Sequence, residues 1–228
     1  MFPARSGARV AIPRGDPAAL ARAVRRYAAA PLGDRLHVRG RALLADLLAV
    51  EPQLPAAGTI VDLGCGRGLF SNLLVEASSR RSVVGMDPDR RRIAVARLTE
   101  RARLRFEVGD AREAQLPACD AVAIVDVLYL LTEADQELVL ARASGAVRPG
   151  GRVVVYAQER RPDPRYWAGH LQELIATGSG LTRGHAGRLH YASRMEMRTR
   201  LERCGLSVEA FPLPGRAYTD AVYVGRRD

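Results

Sequence analysis

Residues 59–68 read Thr59-Ile60-Val61-Asp62-Leu63-Gly64-Cys65-Gly66-Arg67-Gly68. A short apolar run enters a loop in which every second residue is glycine, and a helical pattern follows to about Ala77. A strand, a glycine loop and a helix in succession bring backbone amides close to a ligand. Glycine has no Cβ to block that approach and adopts left-handed dihedrals without strain. The helix N-terminus adds partial positive charge, which suits a carboxylate or a phosphate. A glycine-rich turn alone does not separate a ligand loop from a tight connection, so its surroundings decide.

The spacing opposes a dinucleotide. That fingerprint is Gly-x-Gly-x-x-Gly, whereas position 69 is leucine and the third glycine falls one residue early. Downstream the pattern alternates strand and helix, as in βαβ units. Strands are expected at 59–63, 82–86, 104–108, 120–128 and 152–157. Asp89 caps a helix to about Leu98, and a further helix spans 132 to about 147. Arg148-Pro149-Gly150-Gly151 is a turn into the fifth strand. Asp62, Asp87, Asp110 and Asp126 fall at the ends of four successive strands. At that edge of a parallel sheet, Asp87 can accept both hydroxyls of a ribose. Asp110 suits an adenine amino group.

Outward from this unit, Asp16-Pro17 opens a helix to about Ala29. Asp34 can cap a second helix whose apolar side is Leu36, Leu43, Leu44, Leu47 and Leu48. Residues 1–57 therefore read as an N-terminal helical extension or cap, and 58–228 as the main domain. Within that domain 158–192 reads as an insertion, with a helix near 165–176 and the aromatics Tyr166 and Trp167. Ser193 caps a last helix ending at Cys204-Gly205, and strands at 206–211 and 217–225 close the chain.

Five stretches together are similar to the class I S-adenosylmethionine-dependent methyltransferases, of the small-molecule type. They are 61–68, Gly85-Met86-Asp87-Pro88-Asp89, Gly109-Asp110-Ala111, Asp126-Val127-Leu128-Tyr129 and Arg148-Pro149-Gly150-Gly151. The resemblance covers roughly residues 58 to 157. It implies an α/β fold: a Rossmann-like three-layer sandwich on a seven-stranded, mostly parallel sheet whose last strand is antiparallel. It also implies S-adenosyl-L-methionine as cofactor. Gly64 and Gly66, with Cys65 and Gly68 in the same loop, would line the methionine part, and Asp62 would lie beneath it. Asp87, followed by Pro88, would hold the ribose hydroxyls. Asp110 would meet the adenine amino group and Ala111 its ring, while Asp126 or its backbone would face the sulfonium end. Arg67 departs from the small or aromatic residues often found at its position.

Methyl transfer from a sulfonium needs alignment above all, and a general base only where the acceptor must lose a proton. Acceptors of this family bind over the ends of strands four and five. His185, His190 and Tyr129 are the leading catalytic candidates, with Glu159 and His170 behind them. His37, between Arg35 and Arg39, either closes over the cofactor or lies on a solvated helix face. The Asn/Asp-Pro-Pro-aromatic motif of amino-group nucleic-acid enzymes is missing, as is a Pro-Cys nucleophile pair. The chain has no lysine, which excludes enzymes that depend on a catalytic one. Gln158-Glu159-Arg160 lacks the Asp-Asn pair of metal-dependent catechol enzymes, so no metal is expected. The expected partner is a small-molecule acceptor, of lipid-like or secondary-metabolite character and methylated on oxygen.

Composition permits competing readings. A formal net charge of +10, all of its 35 basic residues arginine, raises an RNA methyltransferase as alternative. GC-rich codon usage also yields arginine without lysine. A cofactor-binding protein without catalysis is a third reading. No apolar run approaches the roughly 20 residues needed to span a bilayer. Three cysteines without paired or metal-type spacing suggest reduced thiols in the cytoplasm. Monomer and homodimer both stay open.

Overall fold

The computed structural model describes residues 12–159, 189–213 and 220–228. Its centre is one seven-stranded sheet in the order β3-β2-β1-β4-β5-β7-β6. These strands are β1 Gly58–Leu63, β2 Arg81–Asp87, β3 Leu104–Val108, β4 Cys119–Val125, β5 Val147–Gln158, β6 Leu206–Pro212 and β7 Asp220–Arg227. β7 runs antiparallel to both β5 and β6, and the other pairings are parallel. The chain reverses its strand order between β1 and β4, and an α/β sheet opens a crevice for ligands at such a switch point.

Helices cover both faces of the sheet. They are α1 Pro17–Arg25, α2 Leu32–Leu44, α3 Leu47–Val50, α4 Leu69–Ala77, α5 Arg90–Arg97, α6 Glu133–Ala146 and α7 Arg194–Arg203. One buried cluster joins α1, α3, α4 and α5 to residues such as Ile60, Val83 and Phe106. The other joins α6 and α7 to Val61, Ile124, Val155 and Tyr223. β4 is buried on both faces, as its unbroken apolar run requires.

Local chemistry explains most boundaries. Asp16 caps α1 by accepting from the Ala18 and Ala19 amides, and Asp89 caps α5 in the same way. Ser193 and Glu196 form a capping box at α7. α1 is shorter than expected, ending at Arg25.

Four expectations need correction. Asp34 does not cap α2; it lies in that helix's first turn and pairs with Arg67 at 2.6 Å. Leu36, Leu43 and Leu44 are exposed rather than buried, because α2 turns Val38 inward instead. β4 stops at Val125, and Asp126 takes a left-handed φ of 55° before a short 3-10 turn at Leu128–Leu130. Arg148-Pro149-Gly150-Gly151 is an outward irregularity inside β5, since Cys119 pairs with Val147 and Ala121 already pairs with Arg152. The expected helix near 165–176, most of the 158–192 insertion and the start of the last strand at 217 lie outside the described residues.

Candidate functional site

β1 delivers the chain to the glycine loop at the centre of the sheet edge. The Gly64 and Cys65 amides both donate to the Met86 carbonyl, at 2.7 and 3.0 Å, which ties the loop to the end of β2. Gly64, Gly66 and Gly68 all have positive φ. A Cβ on Gly64 would collide with Val127, and one on Gly68 would collide with Phe106. At Gly66 a Cβ would meet nothing within 4 Å, so this backbone faces open space. Tyr27 fixes the loop from the N-terminal side. Its hydroxyl donates to the Arg67 carbonyl at 2.6 Å and accepts from Asn72 at 3.1 Å.

That open space is a cavity of about 500 Å³, lined by residues of the loop, α2, the ends of β4 and β5, and Asp220. Asp87, buried at its edge, accepts from the Gly66 amide at 2.9 Å and from the Asp89 amide at 2.9 Å. Burial raises its pKa even against these bonds. Such a carboxylate gains from further donors, and a vicinal pair of ribose hydroxyls would supply them. Gly68 caps α4 in the left-handed conformation and is not itself a lining residue, but Leu69 and Phe70 of the first turn line the cavity, so the positive end of the helix favours an anionic group there. An amide-lined opening, a helix start and an acidic edge fit the amino-acid and ribose parts of adenosylmethionine.

Asp62 lies beneath the loop, 1% exposed, and accepts from Ser71 Oγ at 2.5 Å. Burial pushes its pKa up to about 6, with Asp87 adding repulsion. Because the folded pKa lies above the unfolded value of 3.8, the native state keeps a proton that the unfolded chain has lost. Stability from this group is therefore full below pH 3.8 and lost as pH rises through 6. Asp62→Asn should raise the ligand-free stability by about 2 kcal/mol at pH 8, with the gain vanishing near pH 4. Thermal melts across that range test it; a pH-independent difference would remove the assignment.

Pro88, Cys65 and Asp126 also line the cavity. Asp126 is held by its amide, which donates to the Tyr156 carbonyl at 2.9 Å, and by an ion pair with Arg41 of α2 at 2.9 Å. Asp110 and Ala111 are not among the lining residues. The Asp110 carboxylate is gripped by Arg112, at 2.9 Å through Nε and 2.6 Å through the terminal nitrogen.

Of the catalytic candidates, Tyr129 lines the cavity, stacked on Tyr191 with ring centroids 5.1 Å apart. His190 sits next to it through its backbone, donating to the Tyr129 carbonyl at 2.8 Å, but its side chain is not among the lining residues. Glu159 is committed elsewhere: it accepts from Arg194 at 2.7 and 2.9 Å and from Tyr223 at 2.8 Å. His170 and His185 lie outside the described residues, as do Tyr166 and Trp167. Among the described residues no cluster of His, Cys, Asp and Glu could hold a metal ion.

Arg41, Tyr156, Gln158 and Asp220 line the cavity without having been singled out from sequence. A signal for the first existed. His37, Val38, Arg41, Leu44 and Ala45 follow helical spacing and share one lining face of α2. His37 stands at the exposed rim, where partial burial and then Arg67, Arg41 and Arg92 lower its pKa to about 4.

Residues 60–151 match a family described as "Methyltransferase domain". The chain is 32% identical over 143 residues to a trans-aconitate 2-methyltransferase of Rhizobium meliloti, covering 63% of this chain and 53% of that protein. It is 34% identical over 130 residues to one of Variovorax paradoxus, covering 53% and 46%. The chain thus spans about half the length of the relatives it matches. The apo structure of SibL, an S-adenosylmethionine-dependent methyltransferase, superposes with a TM-score of 0.66 at 23% identity, covering 90% of this chain and 61% of that one. Over residues 60–151 the chain thus carries a methyltransferase domain, on a fold shared with an S-adenosylmethionine-dependent methyltransferase.

Proposed function

We propose that this protein transfers a methyl group from S-adenosylmethionine to an oxygen of a small, carboxylate-bearing acceptor. One observation carries the reading: Gly64 and Gly66 line the same cavity as Arg41, Tyr129 and Tyr156. Cofactor and acceptor can therefore occupy one shared cleft. Bound there, adenosylmethionine would supply an already activated methyl group. The chain's own part is alignment and exclusion of water, which for a well-oriented pair is worth roughly 7–11 kcal/mol. Asp87 and the loop amides orient one side; Arg41 and the Tyr129–Tyr191 stack bound the other. Trans-aconitate, named for several relatives, is a tricarboxylic acid, and it makes carboxylates the first class to try. A carboxylate is already ionised at neutral pH and needs no general base.

Part of the arginine excess is spent within the fold rather than on an RNA surface. Glu76 alone accepts from Arg22, Arg26 and Arg101, and Arg97 and Arg103 donate to backbone carbonyls. Free thiols at Cys65, Cys119 and Cys204 fit a cytoplasmic location, and no described helix is long and apolar enough to cross a membrane. The test is transfer of labelled methyl from adenosylmethionine to trans-aconitate and a panel of di- and tricarboxylates, with total cell RNA alongside. Label in an alkali-labile ester of a small acid supports the reading; label in RNA alone overturns it.

A further inference from the structure

The β5 side of the cavity holds a donor with nothing to donate to. Gln158, the last residue of β5, is 8% exposed and lines the cavity. Its amide nitrogen is buried without a hydrogen-bond partner. Leaving such a donor unpaired is costly, so buried amides without a partner mark places where a ligand or a water completes the structure. Strand alternation puts Gln158 on the same face as Tyr156, two residues earlier. Tyr156 is itself satisfied: its hydroxyl donates to Asp220 at 2.7 Å and accepts from the Asp46 amide at 3.4 Å. Asp220 pairs in register with Gln158 across β5 and β7, so the amide sits beside a carboxylate that already has a donor. Across the same cavity lies Arg41, close enough to Tyr129, Tyr156 and Asp126 to feel their charge. Among the described residues Asp126 is the one carboxylate within ion-pair distance of Arg41. A guanidinium has five N–H groups in a planar fork, and one ion pair does not exhaust them.

We propose that Gln158 and Arg41 form a two-point anchor for a carboxylate of the acceptor, where α2 and the end of β5 line the cavity. The amide would donate to one oxygen and the guanidinium to the other. The ligand this pair selects is an oxygen anion with two acceptor atoms. Specificity for the acid thus lies in a residue that makes no contact with the cofactor loop. The inference rests on the carboxylate reading above, and its test separates the two.

The protein saturated with adenosylhomocysteine, which cannot transfer methyl, is titrated by calorimetry with trans-aconitate, fumarate and benzoate. Gln158→Met keeps the side-chain length and removes the donor; Gln158→Glu replaces it with an acceptor. The expected result is binding of at least one acid by the unaltered protein. It should weaken about tenfold in Gln158→Met and about 100-fold in Gln158→Glu and Arg41→Gln, since hydrogen bonds to charged groups are the strong ones. Adenosylhomocysteine affinity should stay within about threefold in Gln158→Met, which also shows that this variant is folded. Equal acid binding by Gln158→Met and the unaltered protein would overturn the anchor and leave the carboxylate reading standing. No acid binding by the unaltered protein would overturn both.

Discussion

Asp87→Ala is expected to weaken adenosylmethionine binding by roughly 100- to 1000-fold, the loss of about two charge-assisted hydrogen bonds. In the fold the same carboxylate accepts from the Gly66 and Asp89 amides, so its loss also loosens the loop that meets the ligand. Asp87→Asn separates the two effects. An amide oxygen still accepts one backbone N–H but offers the ribose one acceptor fewer, so an intermediate loss is expected. Calorimetric titration of the three proteins checks this ordering. If Asp87→Ala bound as well as the unaltered chain, Asp87 would be a loop brace and nothing more.

Gly64→Ala and Gly66→Ala should fail in different ways, although the residues are neighbours in one loop with φ of 72° and 56°. Both carry the left-handed penalty of about 1–2 kcal/mol for a residue with Cβ. At Gly64 the new methyl also collides with Val127, and such overpacking costs about 1–3 kcal/mol more. The sum is a large part of a typical stability of roughly 5–15 kcal/mol. A melting temperature lower by roughly 5–15 °C is expected for Gly64→Ala. At Gly66 the methyl enters open cavity, so the fold should survive with a small loss. Cofactor affinity should instead fall by at least about tenfold, because the methyl occupies the space the ligand needs. Paired melting and binding measurements decide it. A Gly66→Ala protein that melts early yet binds normally when cold would contradict the assignment of that opening to the ligand.

The unit from β1 to β3 was legible in the residues, because β1 and β2 read as short apolar runs closed by glycine or aspartate and the edge strand β3 alternates apolar with charged residues. The glycine spacing pointed away from a dinucleotide, and Asp87, Asp110 and Asp126, with the resemblance of the five stretches, pointed toward the cofactor. Hydrophobicity misled at the end of β4. Val127 and Leu128 continue the apolar run and pack into the same cluster as the strand, yet the backbone has already turned at Asp126. That turn is held by the Tyr156 carbonyl and by Arg41, partners distant in the chain that no local pattern announces. α2 misled in the opposite sense. Its leucines suggested a buried stripe, but the face carrying His37, Arg41 and Leu44 turns to the cavity and leaves Leu36 and Leu43 exposed. Gln158 was read for a missing metal motif; only the fold shows its amide buried and unpaired beside Asp220.

The most direct measurement of the central claim is a calorimetric titration of the unaltered protein with adenosylhomocysteine and, separately, with NAD. One-to-one binding of adenosylhomocysteine, with no heat from NAD, is the predicted result. Binding of NAD in preference to adenosylhomocysteine would contradict it.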